Sequence, residues 1–494
     1  MACIRLLDLF HLVPRSIVKA NTIAKCPQFV HSTIAKCLGI PENNVRVITR
    51  RVGGGFGGKG AKSMAAAASC ALAAHKLQRP VRMYLNPKTD MIMVGGRHPM
   101  KITYNVGFKN NGKITALHLE ILVDAGIYPD VSAIMPYNIA GTLKKYDWGA
   151  LSFDINLCRT NHPSRSAMRA PGDLQGSFIT EVIIENVAAT LSMEVDSVRS
   201  INLHTYTSLK KFYDDSCGEP LEYTMPLIWN KLAVSANYEL RVNKVKEFNS
   251  TNIWKKRGIS RVPVLYDLNV VKQMAAFALG TIQCDGSGSL LDKVRVVQAD
   301  SLSLIQGGLT AGSTTSESSC EAVRLSCNIL VERLKPIKNK LQEEIGSIKW
   351  ENLILQAYMQ AVNISASSYF VRSKNSMKYS NYGAAVSEIE GSFIQGLGFF
   401  ILEEYETNLD GLVLQDGTWN YKIPTIDTIP QLSSKASGEP PLLLAASVHC
   451  ATRSAVKEAR KQLLSWSNSD DGSDSKWLVI HFYKSSFYLG CPDL

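Results

Sequence analysis

Val45-Arg-Val-Ile-Thr-Arg-Arg-Val-Gly53-Gly-Gly-Phe-Gly-Gly-Lys59-Gly-Ala-Lys-Ser-Met64 is the stretch whose reading decides the fold. The β-branched run 45–48 predicts a short strand. The Ala-rich run 64–77 predicts a helix. Strand, glycine loop and small-residue helix make an anion cradle: glycines let the backbone approach a ligand, and the helix start offers unpaired N–H groups. Gly53-x-Gly55-x-x-Gly58 fits the dinucleotide fingerprint. A Rossmann unit, however, wants an acid at the end of the next strand. The strand predicted at 81–85 ends Tyr84-Leu-Asn-Pro87, and the nearest acid, Asp90, lies beyond the proline. Residues 53–59 also fit most of a P-loop, but Gly60 replaces the Ser/Thr that magnesium needs. The plainer alternative is a tight turn that lets two elements pack. Five glycines flanking one Phe are denser than such a turn requires.

Outward from the loop, 27–39 reads as a helix and 41–44 as a turn. Residues 101–107 and 114–123 alternate around Asn110-Asn-Gly112, a hairpin signal. Helical patterns cover 180–208, 226–241, 270–279, 318–343, 350–364 and 439–466. Residues 262–266 resemble a strand, and the chain beyond Asn468 is polar and irregular. The polar, basic stretch 242–258 marks a domain boundary. The expected architecture is α+β in two halves.

Composition narrows the function. The 494 residues are 45% hydrophobic and 20% charged, which is globular. Fifty-four Lys+Arg against 43 Asp+Glu give a net charge of +11. The cations are spread along the chain, with no basic run interleaved with aromatics, so a solvated surface is favoured over nucleic acid. No apolar run is long enough to span a membrane. The first residues show no signal-peptide pattern. Eleven cysteines without a Cys-x-x-Cys pair exclude the usual zinc and iron–sulfur spacings and suggest reduced thiols in a cytoplasmic protein.

Three further stretches carry chemistry. In Ser437-Gly-Glu-Pro-Pro-Leu-Leu-Leu-Ala-Ala446, Glu439 stands just outside a proline-started helix. It is either a dipole-stabilised cap or a rigidly aimed carboxylate, and spacing alone favours the cap. Residues 159–172 hold three arginines and a Pro-Gly, an anion-contact loop. Residues 307–317 lead with glycines and hydroxyls into the helix at 318, where Ser316 or Ser318 could instead serve as a cap.

Together these four stretches, in this order, resemble the molybdenum-cofactor-binding portion of the xanthine dehydrogenase/aldehyde oxidase family, and most closely its plant aldehyde oxidases. The resemblance runs from about Cys26 to Trp466, with gaps. It implies a two-part molybdopterin-binding α+β fold, incomplete here. Residues 26–245 would be the first domain in part, and 255–466 the second with internal gaps. Residues 1–25 would be unrelated and 467–494 an irregular tail. The implied activity is oxidation of an aldehyde to a carboxylic acid with water as oxygen source. Glu439 would be the catalytic base. Gly55, Phe56, Gly57, Arg169, Thr310, Ala311, Gly312, Ser313 and Thr315 would bind molybdopterin, with Phe56, Arg169 and Gly312 beside the molybdenum.

Purine-oxidising members place a glutamate and an arginine where Gly60 and Tyr137 stand here, so the resemblance implies an aldehyde substrate. It also implies dimerisation with a second copy or an intact relative. The chain departs from the family at several points. No segment matches its iron–sulfur or flavin domains, so no FAD or 2Fe–2S site is expected. Lys25 and Glu388 stand where cofactor-contacting glutamines are expected, and segments are missing near 266–272, 387–390 and 429–433. These losses imply weak cofactor binding in isolation. A non-catalytic remnant or interaction protein is the alternative function.

Overall fold

The computed structural model describes residues 10–13, 17–22, 24, 26–49, 52–213, 224–266, 273–278, 299–301, 310–312, 315–346, 348–370, 386–417, 419–428, 439–467 and 487–489. In chain order, β1 (Phe10–Val13) and β2 (Ile17–Thr22) precede α1 (Pro27–Leu38), β3 (Val45–Thr49) and α2 (Ser63–Leu77). α3 (Pro87–Val94) leads to β4 (Met100–Phe108), β5 (Ile114–Gly126), α4 (Met135–Leu143) and β6 (Ala150–Arg159). Five helices follow: α5 (Asp173–Thr190), α6 (Val195–Asn202), α7 (Tyr206–Tyr213), α8 (Met225–Ser235) and α9 (Tyr238–Thr251). Next come β7 (Gln273–Ala278), β8 (Ala299–Asp300), α10 (Thr315–Ile345), α11 (Trp350–Met359) and β9 (Ser365–Phe370). α12 (Val386–Ile401), α13 (Pro440–Leu444), α14 (Ala446–Ser467) and β10 (Phe487–Leu489) complete the order.

These elements form two compact units, both discontinuous in sequence. The first is Met1–Leu85 with Leu268–Lys374, and the second is Asn86–Asp267 with Asn375–Leu494. The mixed α+β class agrees with the sequence reading.

In the first unit, β1-β2-β3-β8 form a sheet in which β2 and β3 run parallel, Val18 facing Val45 and Ala20 facing Val47. These four side chains bury one face against Val30, Ile34 and Ala35 of α1 and Ala67, Cys70 and Ala71 of α2. Alanines on α2 permit a close approach to its neighbours. Pro27 starts α1, where its missing N–H costs nothing, and Gly39 ends it at φ +65°. The strand expected at 81–85 does not form, although the Val81 carbonyl accepts from the Cys70 thiol at 3.3 Å. A second sheet pairs β7 and β9 antiparallel, Met274 facing Tyr369. The helix expected over 270–279 is therefore a strand between Gln273 and Ala278: pairing with β9 overrides the local helix propensity of Met-Ala-Ala-Phe-Ala. The flanking residues 270–272 and 279 lie outside the described residues.

In the second unit, β10-β4-β5-β6 form the sheet. The β4–β5 hairpin turns at Gly112 (φ +85°), as the Asn-Asn-Gly signal predicts. β6 joins β5 in parallel through the α4 crossover. Ile102, Leu117, Leu119, Ile121 and Val123 bury the sheet face against Ile139, Leu143, Ile179 and Ile183. α5 is buried nearly all round because its other side, with Leu174, Phe178 and Val182, packs on Phe399, Phe400, Leu442 and Leu443.

Several helices are shorter than their patterns. The pattern 180–208 breaks at Ser192, which takes φ +53°. The boundary stretch 242–258 is helical as far as Thr251, and 350–364 stops being helical at Met359. The pattern 439–466 is interrupted at Ala445. No strand forms at 262–266. In the tail, Phe487–Leu489 pairs in parallel with β4, and the rest lies outside the described residues. No described helix is long and apolar enough to cross a membrane.

Candidate functional site

The residues expected to bind or act divide between the units. Gly55, Phe56, Gly57, Thr310, Ala311, Gly312 and Thr315 belong to the first, and Arg169 and Glu439 to the second. Ser313 and Lys25 lie outside the described residues, as does the side chain of Glu388.

In the first unit β3 delivers the chain into the glycine loop. Gly54 (φ +81°), Phe56 (φ +45°) and Gly57 (φ +99°) are left-handed. Phe56 is the costly one, because its β-carbon crowds the next carbonyl. Gly58 N–H donates to the Gly55 carbonyl at 2.8 Å and Gly60 N–H to that of Gly57 at 3.1 Å, so the loop closes on itself. Lys59 is buried, and its Nζ donates to the Gly54 carbonyl at 2.7 Å. It braces the loop from behind, which is not the phosphate-reaching role of a P-loop lysine. Among the described residues, a β-carbon on Gly53 would meet nothing within 4 Å, so this side of the loop is open to them.

β8 lies antiparallel to the end of β3, with Thr49 facing Ala299. Farther along, Thr310 and Ala311 are exposed and Gly312 is buried at φ +67°. α10 begins three residues later. In its first turn the buried hydroxyls of Thr315 and Ser318 have no hydrogen-bond partner among the described residues. Ser318 is inside the helix and does not cap it.

In the second unit Arg169 and Glu439 converge on Arg97. Arg97 donates through Nη1 to the carbonyls of Met168 (2.8 Å) and Arg169 (2.7 Å). Its guanidinium carbon lies 5.1 Å from the centre of the Phe399 ring. Burial pulls Arg97 down to about 10, opposed by Glu403, Tyr421 and Glu439, while Arg169 adds to the lowering. The Arg169 side chain donates to Gln395 Oε1 at 3.1 Å. Tyr421 OH donates to Glu403 Oε2 at 2.7 Å, and burial together with Glu403 holds the phenol well above its ordinary range. Glu439 stands at the N-cap of α13 without a side-chain capping hydrogen bond. Prolines at 440 and 441 fix its backbone, and Pro441, Leu442 and Leu443 are buried behind it.

The loop 159–172 is moulded against a neighbour that sequence reasoning missed, Gly95-Gly-Arg97. Ser166 N–H donates to the Gly96 carbonyl at 3.0 Å and Arg165 Nη1 to that of Gly95 at 2.9 Å. A β-carbon on Gly95 would collide with the Ser164 carbonyl. Arg165 also pairs with Asp124, which accepts from Thr160 at 2.7 Å and contacts His162 Nδ1 at 2.8 Å. Burial works to raise Asp124, but Arg165 and these hydrogen bonds override it and hold the carboxyl at about 2. His162 thus belongs to a structural lock. The paired glycines before Arg97 were a readable signal; Gln395, Glu403 and Tyr421 carried none.

Among the described residues no group of three or more His, Cys, Asp or Glu could hold a metal ion. Two family models, both described as molybdopterin cofactor-binding domains, match the chain. The first covers 17–203 and so begins in β2, earlier than Cys26; the second covers 267–390 and 388–430. The break in the second match falls where a segment is expected to be missing.

The abscisic-aldehyde oxidase of Arabidopsis thaliana is 55% identical over 541 aligned positions, covering 93% of this chain and 40% of the relative. An indole-3-acetaldehyde oxidase of the same plant is 55% identical, covering 91% and 40%. The chain thus spans about two fifths of these relatives. An alignment longer than the chain itself means that the relatives carry internal positions absent here. Among solved structures, the aldehyde oxidoreductase of Desulfovibrio desulfuricans ATCC 27774 superposes with a TM-score of 0.73 at 18% identity, covering 92% of this chain and 57% of that one. Quinoline 2-oxidoreductase of Pseudomonas putida 86 gives 0.71 at 17%, covering 93% and 72%. At such identities the likeness establishes the fold. With the two matches spanning most of its length, the chain belongs to the xanthine dehydrogenase/aldehyde oxidase family, as a stretch of its molybdopterin cofactor-binding portion.

Proposed function

We propose that this chain is the cofactor-carrying part of a molybdenum-dependent aldehyde oxidase, which converts an aldehyde to a carboxylic acid with water as oxygen source. One observation carries the reading: Arg169 and Glu439, distant in sequence, both act on the guanidinium of Arg97. Two motifs far apart in sequence that meet at one half-buried cation support a shared chemical task.

The residues present fit the cofactor. Phe56, Arg169 and Gly312 offer backbone groups and a guanidinium, none of which is a metal ligand, so a molybdenum would have to bring its own organic ligands. The open side of Gly53 admits a planar edge. The hydroxyls of Thr315 and Ser318, buried without a described partner at the start of α10, suit an anionic group of that cofactor. Gly55, Phe56, Gly57 and residues 310–315 are therefore the cofactor contacts of this reading. When bound, the cofactor supplies the two-electron redox chemistry. Glu439 accepts the proton of the attacking oxygen at its carboxylate, and the rigid Pro440-Pro441 start of α13 keeps that carboxylate aimed. Arg169 holds Gln395 and orients the polar wall beside it.

Gly60 and Tyr137 put no charge where a purine would need one, and this supports an apolar or aromatic aldehyde. Eleven cysteines without a Cys-x-x-Cys pair support reduced thiols in a cytoplasmic setting. A dimer with a second copy or an intact relative is part of the proposal, as are the absences of a nucleic-acid partner and of an FAD or 2Fe–2S site in this chain.

Glu439→Gln is the test. It should abolish aldehyde turnover and leave molybdenum per chain unchanged; equal loss of metal would make Glu439 structural. The internal positions lacking relative to the plant enzymes favour a second reading, a non-catalytic remnant that keeps part of the fold. Molybdenum near one per purified chain supports the enzyme, and none supports the remnant.

A further inference from the structure

The Arg97 cluster uses more charge than a packed loop requires. Holding a guanidinium in a buried setting opposes its ionisation, and here burial is the largest influence on it. Apolar residues could brace the same loop at lower cost. What an arginine adds is direction, since its planar group holds each terminal nitrogen at a fixed angle and one such nitrogen can serve two acceptors. Both acceptors are backbone carbonyls of the Arg169 motif, at 2.8 and 2.7 Å from one nitrogen. Phe399 covers the guanidinium face at 5.1 Å. Glu403, itself gripped by Tyr421 at 2.7 Å, is the strongest of its counter-charges, and Glu439 is a weaker one.

Resting on the reading above, we propose that Arg97 is a positioning residue. Its Nη1 donates to both the Met168 and Arg169 carbonyls and so sets that backbone for the Arg169 side chain to reach Gln395, with Phe399 over the guanidinium face. Gly95 and Gly96 serve the same end. Each takes a positive φ, at +75° and +68°; a β-carbon at Gly95 would collide with the Ser164 carbonyl, while one at Gly96 would only touch the Tyr405 ring at ordinary contact distance. The Gly95-Gly-Arg97 turn is thus a template on which the Arg169 loop is cast. Arg97 does not touch substrate in this role; it acts through Arg169.

Two arms test this on the full chain. The first needs no cofactor. Hydrogen exchange of peptides covering 164–172 is compared in the native chain, Arg97→Met, Arg97→Lys and Arg261→Met. Arg261 is a control in the same unit, pairing with Asp196 and stacking on Trp229 away from the loop. Arg97→Met should speed exchange in 164–172 about tenfold or more, Arg97→Lys should restore much of the protection, and Arg261→Met should leave this peptide unchanged. Unchanged exchange in Arg97→Met overturns the proposal, as does equal loosening by Arg261→Met.

The second arm measures molybdenum per chain after reconstitution with graded molybdopterin. Arg97→Met should weaken uptake about tenfold alone and less than twofold in an Arg169→Met background, because a residue acting through another loses its effect when that one is gone. A full tenfold loss in both backgrounds overturns the proposal. A native chain that takes up no molybdopterin overturns the functional reading instead, and the exchange arm then decides the positioning role by itself.

Discussion

The loop around Phe56 and the cluster around Arg97 are built by opposite means. The first works by leaving side chains out: six consecutive positions, 53–58, are glycine or left-handed, and the one lysine is turned back to brace them. The second works by packing charges in. Arg97, Arg165, Asp124, Glu403 and Tyr421 hold one another in half-buried or buried settings, and each is partnered. Bare backbone costs conformational entropy and strain. Packed charge costs desolvation, and it is stable only while every member is present. The second unit should therefore suffer far more from single substitutions than the first.

The sharpest way to break that contrast is Glu181. Its carboxylate, fully buried, accepts from Lys145 at 2.7 Å, Tyr146 at 3.0 Å and Arg199 at 2.8 Å. Burial opposes ionisation, yet Lys145 and Arg199 hold the carboxyl below its usual range. Glu181→Ala leaves two buried cations without their shared anion. It should cost about 3–5 kcal/mol in urea unfolding. A loss under about 1 kcal/mol would mean that water reaches this network and that charge packing is not what holds the second unit.

Glycine substitutions compare the two regions directly. Gly95→Ala must move the Ser164 backbone and adopt φ +75°, at about 2–4 kcal/mol. Gly54→Ala adopts φ +81° but meets only the Phe56 ring edge at 3.2 Å, which can turn aside, so about 1–2 kcal/mol suffices. Thermal unfolding of both variants checks the order, and the reverse order would refute the contrast.

That asymmetry also explains what could be read in the sequence. Bare backbone announces itself, since glycine is the only residue that supplies it, and the strand–loop–helix over 45–77 was legible for that reason. So was the hairpin at Gly112. Charge packing is silent. Glu181 sits inside a pattern that reads only as a helix, and Gln395, Glu403 and Tyr421 are ordinary polar residues until the fold brings them to Arg97. The strand β7 was misread for a related reason: Gln273–Ala278 has the composition of a helix, and only its ladder to Ser365–Phe370, far along the chain, decides otherwise. The role of Glu439 lay in between. Its prolines marked a helix start, and the structure places it at the N-cap of α13, though without the capping hydrogen bond.

Acid should separate the units by pH. Asp124, in the second, is held at about 2 in the fold, below the ordinary value near 3.9. A carboxyl depressed in this way adds stability above its unfolded pKa, and that stability fades as pH falls from about 4 to about 2. Allowing for solvent screening, the contribution is about 1–2 kcal/mol. Asp124→Asn should flatten this part of the acid-unfolding curve while lowering stability at pH 7. A native curve already flat between pH 4 and 2 would remove Asp124 as an acid-sensitive lock.

The smallest effect tests whether charge matters through burial or through number. Lys246 and Glu194 form a pair at 2.8 Å in the same unit as Glu181, with the same signs and nearly the same separation, but 61% and 71% of the two side chains is exposed. Water already solvates both groups, and ordering two long side chains costs entropy that offsets most of the attraction. Glu194→Ala should therefore change the unfolding free energy by less than about 0.5 kcal/mol, and high salt should abolish even that. If Glu194→Ala instead cost as much as Glu181→Ala, the second unit would depend on its net balance of charge, and the desolvated network around Lys145 and Arg199 would lose its special standing.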